Sequence, residues 1–354
     1  MRLTAILAAA AAVALTPAAA APSRVVLVRL VSPSLGFVAT STGSRTRLLV
    51  GDGRSWRDVT PPHVRFQPED LVFLDRRHGW FVTNDCVAGR AIVDRTVDGG
   101  RTWTSARVRP TNCAAGSALA LSFADRVHGW LVRTFENAPG AELARTVDGG
   151  RTWSRARELP LLGRVAFQTP RDGWLGRSDV RAVSNLFVTT DGGLTWRPRT
   201  LPRPAGWRDA QALPDVPTFF GAHGVLPVSL FTPRRSGVAF YVTSDGGRSW
   251  RAQIVVSVGF RTLLRLNPFP RYVPTAVASP SGWWVVSRIA TPRVLVTSDA
   301  GRHWRASRPG LAGARFARID AVGTTSAWLT LGTCGGGTRL LATRDGGRSW
   351  RRLR

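Results

Sequence analysis

The stretch Thr96-Val97-Asp98-Gly99-Gly100-Arg101-Thr102-Trp103 decides the fold, because it recurs along the chain. Five later copies end at the tryptophans Trp153, Trp196, Trp250, Trp304 and Trp350. A degenerate first copy, Gly51-Asp52-Gly53-Arg54-Ser55-Trp56, has Gly51 at the position of the aspartate. Successive tryptophans are 43 to 54 residues apart, so the sequence consists of seven similar units.

A second motif, a Gly-Trp pair, keeps step with the first. In His78-Gly79-Trp80 and His128-Gly129-Trp130 the tryptophan lies 23 residues before that of the following repeat. Related copies are Asp172-Gly173-Trp174, Ser281-Gly282-Trp283 and Ser326-Ala327-Trp328, with Leu35-Gly36-Phe37 and His223-Gly224-Val225 as the weakest. Between the two motifs, apolar and polar residues alternate over short stretches, which is typical of antiparallel β-strands.

Each unit is therefore expected to form four strands, A to D, with the Gly-Trp turn between A and B and the Asp-Gly-Gly turn between C and D. Seven such units predict an all-β fold, a seven-bladed β-propeller with four antiparallel strands per blade. The propeller covers residues 22–354, with blades near 22–60, 61–109, 110–160, 161–201, 202–255, 256–309 and 310–354. Since the last D strand ends the chain, no strand is swapped, and blades one and seven should meet only through side-chain packing.

The turn chemistry explains why the Asp-Gly-Gly motif repeats. Glycine reaches positive φ without a steric penalty, and an aspartate carboxylate can accept backbone N–H bonds within the turn. Threonine or serine hydroxyls can close the turn, and the tryptophan is expected to pack beneath it as a buried anchor. We therefore assign a structural role to six aspartates: Asp98, Asp148, Asp191, Asp245, Asp299 and Asp345.

The charge of the chain is strongly positive. Its 354 residues include 49 basic and 22 acidic side chains, a formal charge of +27, and every basic residue other than histidine is arginine. A hydrophobic content of 44% excludes intrinsic disorder. Many arginines follow the repeat tryptophans on the predicted D strands, where they can prevent pairing of exposed edges. Alternatively, so large a charge attracts anionic partners, although no recognised nucleic-acid motif is present.

The N-terminus is typical of a targeting segment. Arg2, the apolar run Leu3–Leu15 and Ala18-Ala19-Ala20 predict a signal peptide over residues 1–21. A retained anchor is the alternative, although the apolar run is short and rich in alanine. Later apolar runs are too short to span a bilayer. The sequence thus predicts an exported protein without a transmembrane segment, secreted or held in the cell envelope.

Export affects the interpretation of the three cysteines. Cys86 and Cys113 are predicted to form a disulfide in an oxidising compartment, which would stabilise the fold by roughly 3–4 kcal/mol. Cys334 is left as an unpaired thiol. Because the cysteines lack paired CxxC spacing, no metal site is expected.

Two long connections predict the position of a binding site. In a propeller blade the B–C loops and the D–A connections emerge on one face, and residues 200–217 and 256–274 are expanded there. Arginines next to aromatic residues are typical of binding hot spots, whereas loops that simply pack over the ring are the alternative. The candidate binding residues are Arg203, Trp207, Arg208, Phe260, Arg261, Arg265, Arg271 and Tyr272.

The Asp-Gly-Gly corners resemble the BNR or Asp-box repeats of sialidases and of several non-enzymatic propellers. The enzymatic resemblance implies an arginine triad and a tyrosine nucleophile activated by a glutamate. An Arg-Ile-Pro segment, which normally carries the first triad arginine, is absent. Tyr241 lies in a strand leading into an Asp box, so packing is its expected role. Tyr272 is the remaining tyrosine, and Glu142 or Glu158 could reach it only through the fold.

A nearer resemblance is to the photosystem II stability and assembly factor propellers. Phe73-Leu74-Asp75-Arg76-Arg77-His78-Gly79-Trp80 and the matching segment ending at Trp130 fit the repeat pattern of that family. The resemblance implies an exported, non-catalytic assembly scaffold with a basic surface. We expect a monomer without cofactor that binds a protein or an anionic envelope component, with no specific nucleic acid. The alternative is a glycan hydrolase of the exo-sialidase type.

Overall fold

The computed structural model describes eleven stretches of the chain: residues 24–42, 45–64, 68–85, 88–108, 118–134, 140–176, 186–258, 272–287, 293–309, 314–333 and 337–353. These stretches form seven antiparallel sheets, and no helix occurs within them. The predicted seven-bladed β-propeller is thereby confirmed.

The sheets follow one another along the chain, one blade per sequence unit. In blades one to three the strands are β1 (Arg24–Ser32), β2 (Leu35–Ser41), β3 (Thr46–Gly51), β4 (Trp56–Asp58), β5 (Pro68–Phe73), β6 (Gly79–Asp85), β7 (Arg90–Thr96), β8 (Thr104–Val108), β9 (Ala118–Phe123), β10 (Gly129–Thr134), β11 (Ala141–Thr146) and β12 (Arg157–Leu159). Blade four contains β13 (Arg164–Phe167), β14 (Gly173–Gly176), β15 (Phe187–Thr189) and β16 (Arg197–Pro198).

The remaining strands make up blades five to seven. They are β17 (Gln211–Pro214), β18 (Thr218–Phe220), β19 (His223–Phe231), β20 (Ser236–Thr243), β21 (Arg251–Ser257), β22 (Thr275–Val277), β23 (Trp283–Ser287), β24 (Arg293–Thr297), β25 (Arg305–Ser307), β26 (Ala314–Val322), β27 (Ser326–Thr333), β28 (Thr338–Thr343) and β29 (Arg351–Arg352). Blade five departs from the four-strand pattern, since β17 and β18 both pair with β19. Pro214 and Pro217 flank the break, and proline cannot donate a ladder hydrogen bond.

The Asp-Gly-Gly corner is closed by its own side chains. In blade two, Asp98 accepts hydrogen bonds from the Arg101 and Thr102 amides, both at 2.9 Å, and from the Thr102 hydroxyl at 2.6 Å. The Thr96 hydroxyl accepts the Gly100 amide at 2.8 Å, while Gly99 and Gly100 have φ of 72° and 82°. In the other five complete boxes the threonine hydroxyl donates a hydrogen bond to the aspartate carboxylate. The same carboxylate also accepts the amide of the residue before the tryptophan.

The two sequence motifs meet on one face of the propeller. The Gly99 amide donates to the Arg77 carbonyl at 2.9 Å, which ties the Asp-box corner of blade two to its A–B turn. Equivalent bonds reach Val127 in blade three and Arg171 in blade four. We call this face, formed by the A–B turns and the Asp-box corners, the Asp-box rim; in blade two it comprises residues 74–78 and 97–102.

The hydrophobic core lies between the blades. Buried apolar side chains of the described residues form seven clusters, and each joins two neighbouring blades. Trp80 stacks on Phe123 of the next blade with ring centroids 3.7 Å apart, and its indole N–H donates to the Gly149 carbonyl at 2.7 Å. The Gly-Trp motif of one blade therefore holds the Asp box of the following blade.

In blades two and three the buried anchor is a different tryptophan from the one that the sequence predicts. Those of the Gly-Trp motifs, Trp80 and Trp130, are 1% and 0% exposed. The Asp-box tryptophans Trp103 and Trp153 are only half-buried, and both lie beside aromatic rings of the core. In these two blades the Asp-box tryptophan caps the edge of the inter-blade cluster, and the Gly-Trp tryptophan fills its centre. In blade five the Asp-box tryptophan Trp250 is buried, at 7% exposed, as the sequence predicts.

Ring closure uses more than the packing expected from the sequence. Blades one and seven share no strand, but the Asp320 carboxylate of β26 accepts the Leu30 amide of β1 at 2.7 Å. On the outside, the Arg351 guanidinium donates to the Gly53 and Asp52 carbonyls at 3.4 and 3.3 Å. Side-chain-to-backbone hydrogen bonds therefore supplement packing at this interface.

The degenerate first repeat also has an aspartate that closes its corner by hydrogen bonds. Asp52 stands where a glycine occurs in the other boxes, and its carboxylate accepts the Arg54 amide at 2.8 Å and the Ser55 amide at 3.0 Å. The shift by one residue shortens the corner but preserves its chemistry. Sequence alignment alone, which placed Gly51 at the aspartate position, missed this role.

Candidate functional site

The longest described connection lies between blades four and five and is folded against the ring. Two successive turns shape it, with the Trp207 amide bonded to the Pro204 carbonyl and the Ala210 amide to the Trp207 carbonyl, both at 3.1 Å. Trp207 is 6% exposed and belongs to the cluster between blades four and five. The connection is therefore held in one conformation and packs against blade five.

The B–C turn of blade five packs directly against this connection. Thr232 shapes the turn, because its hydroxyl accepts the Arg235 amide at 3.0 Å and its own amide donates to the Arg235 carbonyl at 2.9 Å. The Arg235 guanidinium sits over the Trp207 ring, 4.1 Å from its centroid, and donates to the Gly206 carbonyl. A cation over an indole face is attracted to it, so the two segments hold each other in place.

Arg203 and Tyr241 fix the first half of the connection. The Arg203 guanidinium donates to the Ala210 carbonyl at 2.8 Å, and the Tyr241 hydroxyl donates to the Pro202 carbonyl at 2.5 Å. Burial raises the pKa of Tyr241 to about 12, against a lowering influence of Arg203. Tyr241 therefore stays a neutral structural donor, in agreement with its expected packing role.

These contacts hold a positively charged surface in a fixed position. Arg203, Arg208, Arg234 and Arg235 are exposed around the buried Trp207, and we call these five residues the blade-five surface. Asp209 is the one acidic residue within the connection 199–210, and the turn 232–235 contains none. The arrangement can bind anionic groups through guanidinium donors, of which each arginine has five.

Sequence reasoning found part of this surface. Arg203, Trp207 and Arg208 were predicted as binding residues, and the structure brings them together with Arg234 and Arg235, which were not. The signal for the missed pair was two adjacent arginines in the short Thr-Pro-Arg-Arg segment between predicted strands. Trp207 lies beneath the surface, where its ring supports the guanidinium of Arg235.

The other predicted residues are separate from this surface or not described. Tyr272 is 5% exposed and lies just before β22, the inner strand of blade six. Outside the described residues are the predicted binding residues Phe260, Arg261, Arg265 and Arg271, the predicted disulfide Cys86–Cys113, Cys334 and the leader 1–21.

The tyrosine–glutamate couple required by the sialidase alternative does not form from the two glutamates considered. Glu142 and Glu158 are Cα partners on β11 and β12 of blade three, and Glu142 is paired with Arg133. Tyr272 belongs to blade six, which does not adjoin blade three. Both glutamates therefore lie on a different part of the ring from Tyr272.

A cavity of about 620 Å³ opens in the centre of the ring and is lined by inner strands of blades one to five. Its charged lining side chains are Arg29, Asp70 and Arg164. Asp70 is occupied, because it accepts the Leu121 amide of the next blade at 2.9 Å and lies 3.5 Å from the Arg164 guanidinium. This carboxylate caps an inner strand edge and is not free for general acid or base chemistry.

Glu69 and Asp320 are the inner-strand carboxylates with raised pKa. For Glu69 burial raises the pKa, the Leu119 amide lowers it and neighbouring Asp70 raises it again. For Asp320 burial is again the cause, and it outweighs the lowering by Arg29 and the Leu30 amide. Both partner amides belong to the next blade, so these carboxylates cap inner strand edges like Asp70.

A serine, a histidine and an aspartate also meet on the outside of blade two. The His63 Nε2 atom is 2.9 Å from Asp94 Oδ1 and 3.4 Å from Ser105 Oγ, and Ser105 donates to the same Asp94 oxygen at 2.6 Å. A nucleophilic triad needs the aspartate on one imidazole nitrogen and the serine on the other. Both partners share Nε2 here, so the cluster does not have the geometry of a hydrolase triad.

The described residues lack two features that would indicate a membrane or a metal-binding role. No helix in these stretches is long and apolar enough to cross a membrane. Within the same part of the chain, no three His, Cys, Asp or Glu side chains come close enough together to hold a metal ion.

The fold and its repeated corners define a seven-bladed β-propeller with Asp-box turns. Residues 112–286 match the family model of the Photosynthesis system II assembly factor YCF48. The resemblance predicted from the repeat motifs is thereby confirmed. No curated protein sequence matches the chain.

Solved structures share this fold at low sequence identity. YCF48 from Cyanidioschyzon merolae is 19% identical with a TM-score of 0.53, covering 84% of this chain and 88% of that protein. A GH74 enzyme from Niastella koreensis is 15% identical with a TM-score of 0.57, covering 89% of this chain and 52% of the enzyme. A puromycin-hydrolyzing peptidase from Mycobacterium tuberculosis is 15% identical with a TM-score of 0.58, covering 95% and 54%. The chain spans about half the length of both enzymes, and the likeness is one of fold.

Proposed function

We propose that the protein is an exported, non-catalytic scaffold that binds an acidic protein partner through the blade-five surface. The observation that carries this proposal is the seating of Arg235 on Trp207, which holds exposed guanidinium groups on a rigid base. A pre-ordered surface loses less conformational entropy on binding, so its contacts yield more affinity.

The family model supports a protein partner, since the protein that it describes is an assembly factor. The charge of +27 supports an acidic one, because it speeds the encounter with negatively charged surfaces. An anionic envelope polymer or lipid headgroup is the other class of partner with matching chemistry.

Site-specific photo-cross-linking in the native cell distinguishes these partners. A photo-reactive residue replaces Arg234 on the blade-five surface, and in a matched control it replaces Arg155, which is exposed in blade three before its outer strand. We expect a protein adduct from position 234 and none from position 155. Adducts of similar yield at both positions, or an adduct with polymer or lipid, would refute the proposed protein site.

The enzymatic alternative is a glycan hydrolase. Its support is the fold shared with a GH74 enzyme and the central cavity of about 620 Å³. A fluorogenic sialoside assay tests the sialidase form of this alternative. We expect no turnover above buffer; turnover that Tyr272→Phe abolishes would replace the scaffold by a hydrolase.

A further inference from the structure

The exposed apolar side chains of the propeller are concentrated in one arc of the Asp-box rim. Six large apolar side chains are exposed among the described residues, and five lie on blades two to four. They are Leu74, Val97, Val127, Val147 and Leu194. All five are in A–B turns or Asp-box corners, so they project from the same face, opposite to the blade-five surface.

Within the arc, the turns of blades two and three adjoin each other. The Arg126 guanidinium in the A–B turn of blade three lies 3.1 Å from the Asp75 carboxylate in that of blade two. The Val127 carbonyl accepts the Gly149 amide at 2.8 Å, which brings the turn of Val127 against the corner that carries Val147. These apolar side chains therefore stand on adjoining turns held by hydrogen bonds.

The arc also opens into the central cavity. Leu74 is 39% exposed and is at the same time part of the cavity lining, together with Arg29 and Arg164. A chain segment lying across blades two to four thus passes from apolar side chains to the two arginines at the centre. Clefts with an apolar lining and a few convergent polar groups are the usual form of binding sites.

The charges of the arc favour acidic ligands. Its aspartates are consumed within their own turns: Asp75 accepts the Arg77 and His78 amides at 2.7 and 2.8 Å, and Asp125 accepts the Val127 and His128 amides, both at 2.7 Å. The guanidinium groups of Arg76, Arg77, Arg101, Arg126 and Arg151 are exposed. Each retains N–H donors beyond its present contacts, since an arginine has five.

We propose that this arc, with the cavity beside it, docks an extended protein segment in which carboxylates alternate with apolar side chains. The apolar residues of the segment would contact Leu74, Val127 and Val147, while its carboxylates would reach the rim arginines and Arg29 or Arg164. This site is distinct from the blade-five surface, so a scaffold could hold two segments on opposite faces.

Binding of synthetic peptides to the full chain tests the proposal. The probe is a short fluorescent peptide of alternating aspartate and leucine, and its control alternates aspartate and serine. We expect the leucine peptide to bind more tightly than the serine peptide. The variant Leu74→Ser/Val127→Ser/Val147→Ser should weaken leucine-peptide binding by about tenfold, which corresponds to roughly 1.4 kcal/mol.

Two controls keep the result interpretable. Phe316→Ser removes the exposed apolar side chain outside the arc, which is 42% exposed, and should leave peptide binding unchanged. Arg208→Gln/Arg234→Gln should also leave the leucine preference intact, which separates this site from the proposed function. Because the three substituted side chains are exposed, the melting temperature of the triple variant should match that of the parent.

Three results would overturn the docking site. The first is equal affinity for the two peptides, and the second is a triple variant that binds the leucine peptide as the parent does. The third is capture of phosphatidylglycerol vesicles by the parent and not by the triple variant, without peptide binding. That last outcome would make the arc a membrane contact.

Discussion

The Asp-box rim and the blade-five surface both expose arginines, but they surround them with different chemistry. On the rim, an aspartate is fixed in nearly every turn, as Asp98 is by the Arg101 and Thr102 amides. On the blade-five surface the arginines are positioned by an indole ring and by backbone carbonyls, as Arg235 is by Trp207 and Gly206. Total charge is therefore a poor guide to a binding site, whereas the groups that position each arginine are informative.

Low pH should destabilise the Asp-box rim most strongly, because protonation affects the carboxylate of every Asp box. Burial raises the pKa of Asp98 and Asp148, but hydrogen bonds within each turn outweigh it and bring both pKa values to about 2, from 3.8. For Asp191 burial again raises the pKa, and hydrogen bonds within the turn outweigh it. Turn hydrogen bonds are the main cause of the lowered pKa of Asp245, Asp299 and Asp345.

A lowered pKa in the folded state stabilises the fold above the unfolded pKa, and this stabilisation is lost as the pH falls through the folded value. The melting temperature followed by circular dichroism should therefore stay level from neutral pH to about pH 4 and drop steeply between about pH 4 and pH 2. A drop that is complete above about pH 5 would contradict this assignment, because the box carboxylates are still ionised at that pH.

Removal of Trp207 should be the most destabilising single change on the blade-five side. Trp207→Ala leaves a void in the cluster between blades four and five and removes the base of Arg235, so we expect a loss of about 4 kcal/mol in unfolding free energy. Urea denaturation measures it, with Trp207→Phe as the milder control. A loss below about 1 kcal/mol would mean that Trp207 is a surface contact and not a structural base.

Two aspartates test whether the boxes of the rim are equivalent. Asp148 accepts four hydrogen bonds, from the Thr146 and Thr152 hydroxyls and from the Arg151 and Thr152 amides. Asp148→Ala should cost about 3 kcal/mol of unfolding free energy, because these donors lose a charged acceptor. Asp52→Ala, in the degenerate first box, should cost clearly less, because the hydrogen bonds that Asp52 accepts from two backbone amides are exposed to solvent. Equal costs would show that the first corner is as fully formed as the others.

The Asp box of blade six contains a residue in a strained backbone conformation, and a substitution can relieve that strain. Ala300 has φ of 57°, whereas the equivalent position in blade five is Gly246 with φ of 73°. Ala300→Gly should stabilise the protein by about 1 kcal/mol, since a left-handed conformation is costly for a residue with Cβ. Gly246→Ala is the matched reverse change, because a Cβ there would meet no atom within 4 Å. A destabilising Ala300→Gly would show that the methyl group has a packing role.

The repeat allowed the blades and the corners to be predicted, because both follow from local patterns. Alternation gives the strands, and the Asp-Gly-Gly spacing gives each turn. The caps between blades could not be predicted in the same way: Asp70 and Asp320 bind amides 51 and 290 residues away. Nothing in the local sequence of Asp70 distinguishes such a contact from an ordinary polar position on a strand.

The arginines illustrate the same limit. Those after the repeat tryptophans were expected to protect strand edges, yet Arg57 donates to the Gly99 carbonyl at 3.4 Å and Arg305 to the Gly346 carbonyl, each in the next blade. Arg234 and Arg235 were missed because their importance depends on Trp207, which reaches them only in the folded chain. Composition indicated a basic protein, but it could not divide the arginines between structure and binding.

The most direct test of the account compares arginines removed in equal number from two places. Arg208→Gln/Arg234→Gln neutralises the blade-five surface, and Arg107→Gln/Arg155→Gln neutralises two exposed arginines at the outer edges of blades two and three. The measurement is the salt concentration that elutes each protein from immobilised polyaspartate. We predict that the blade-five variant elutes at clearly lower salt than the edge variant. Equal shifts for both variants would contradict it, because binding would then depend on bulk charge alone.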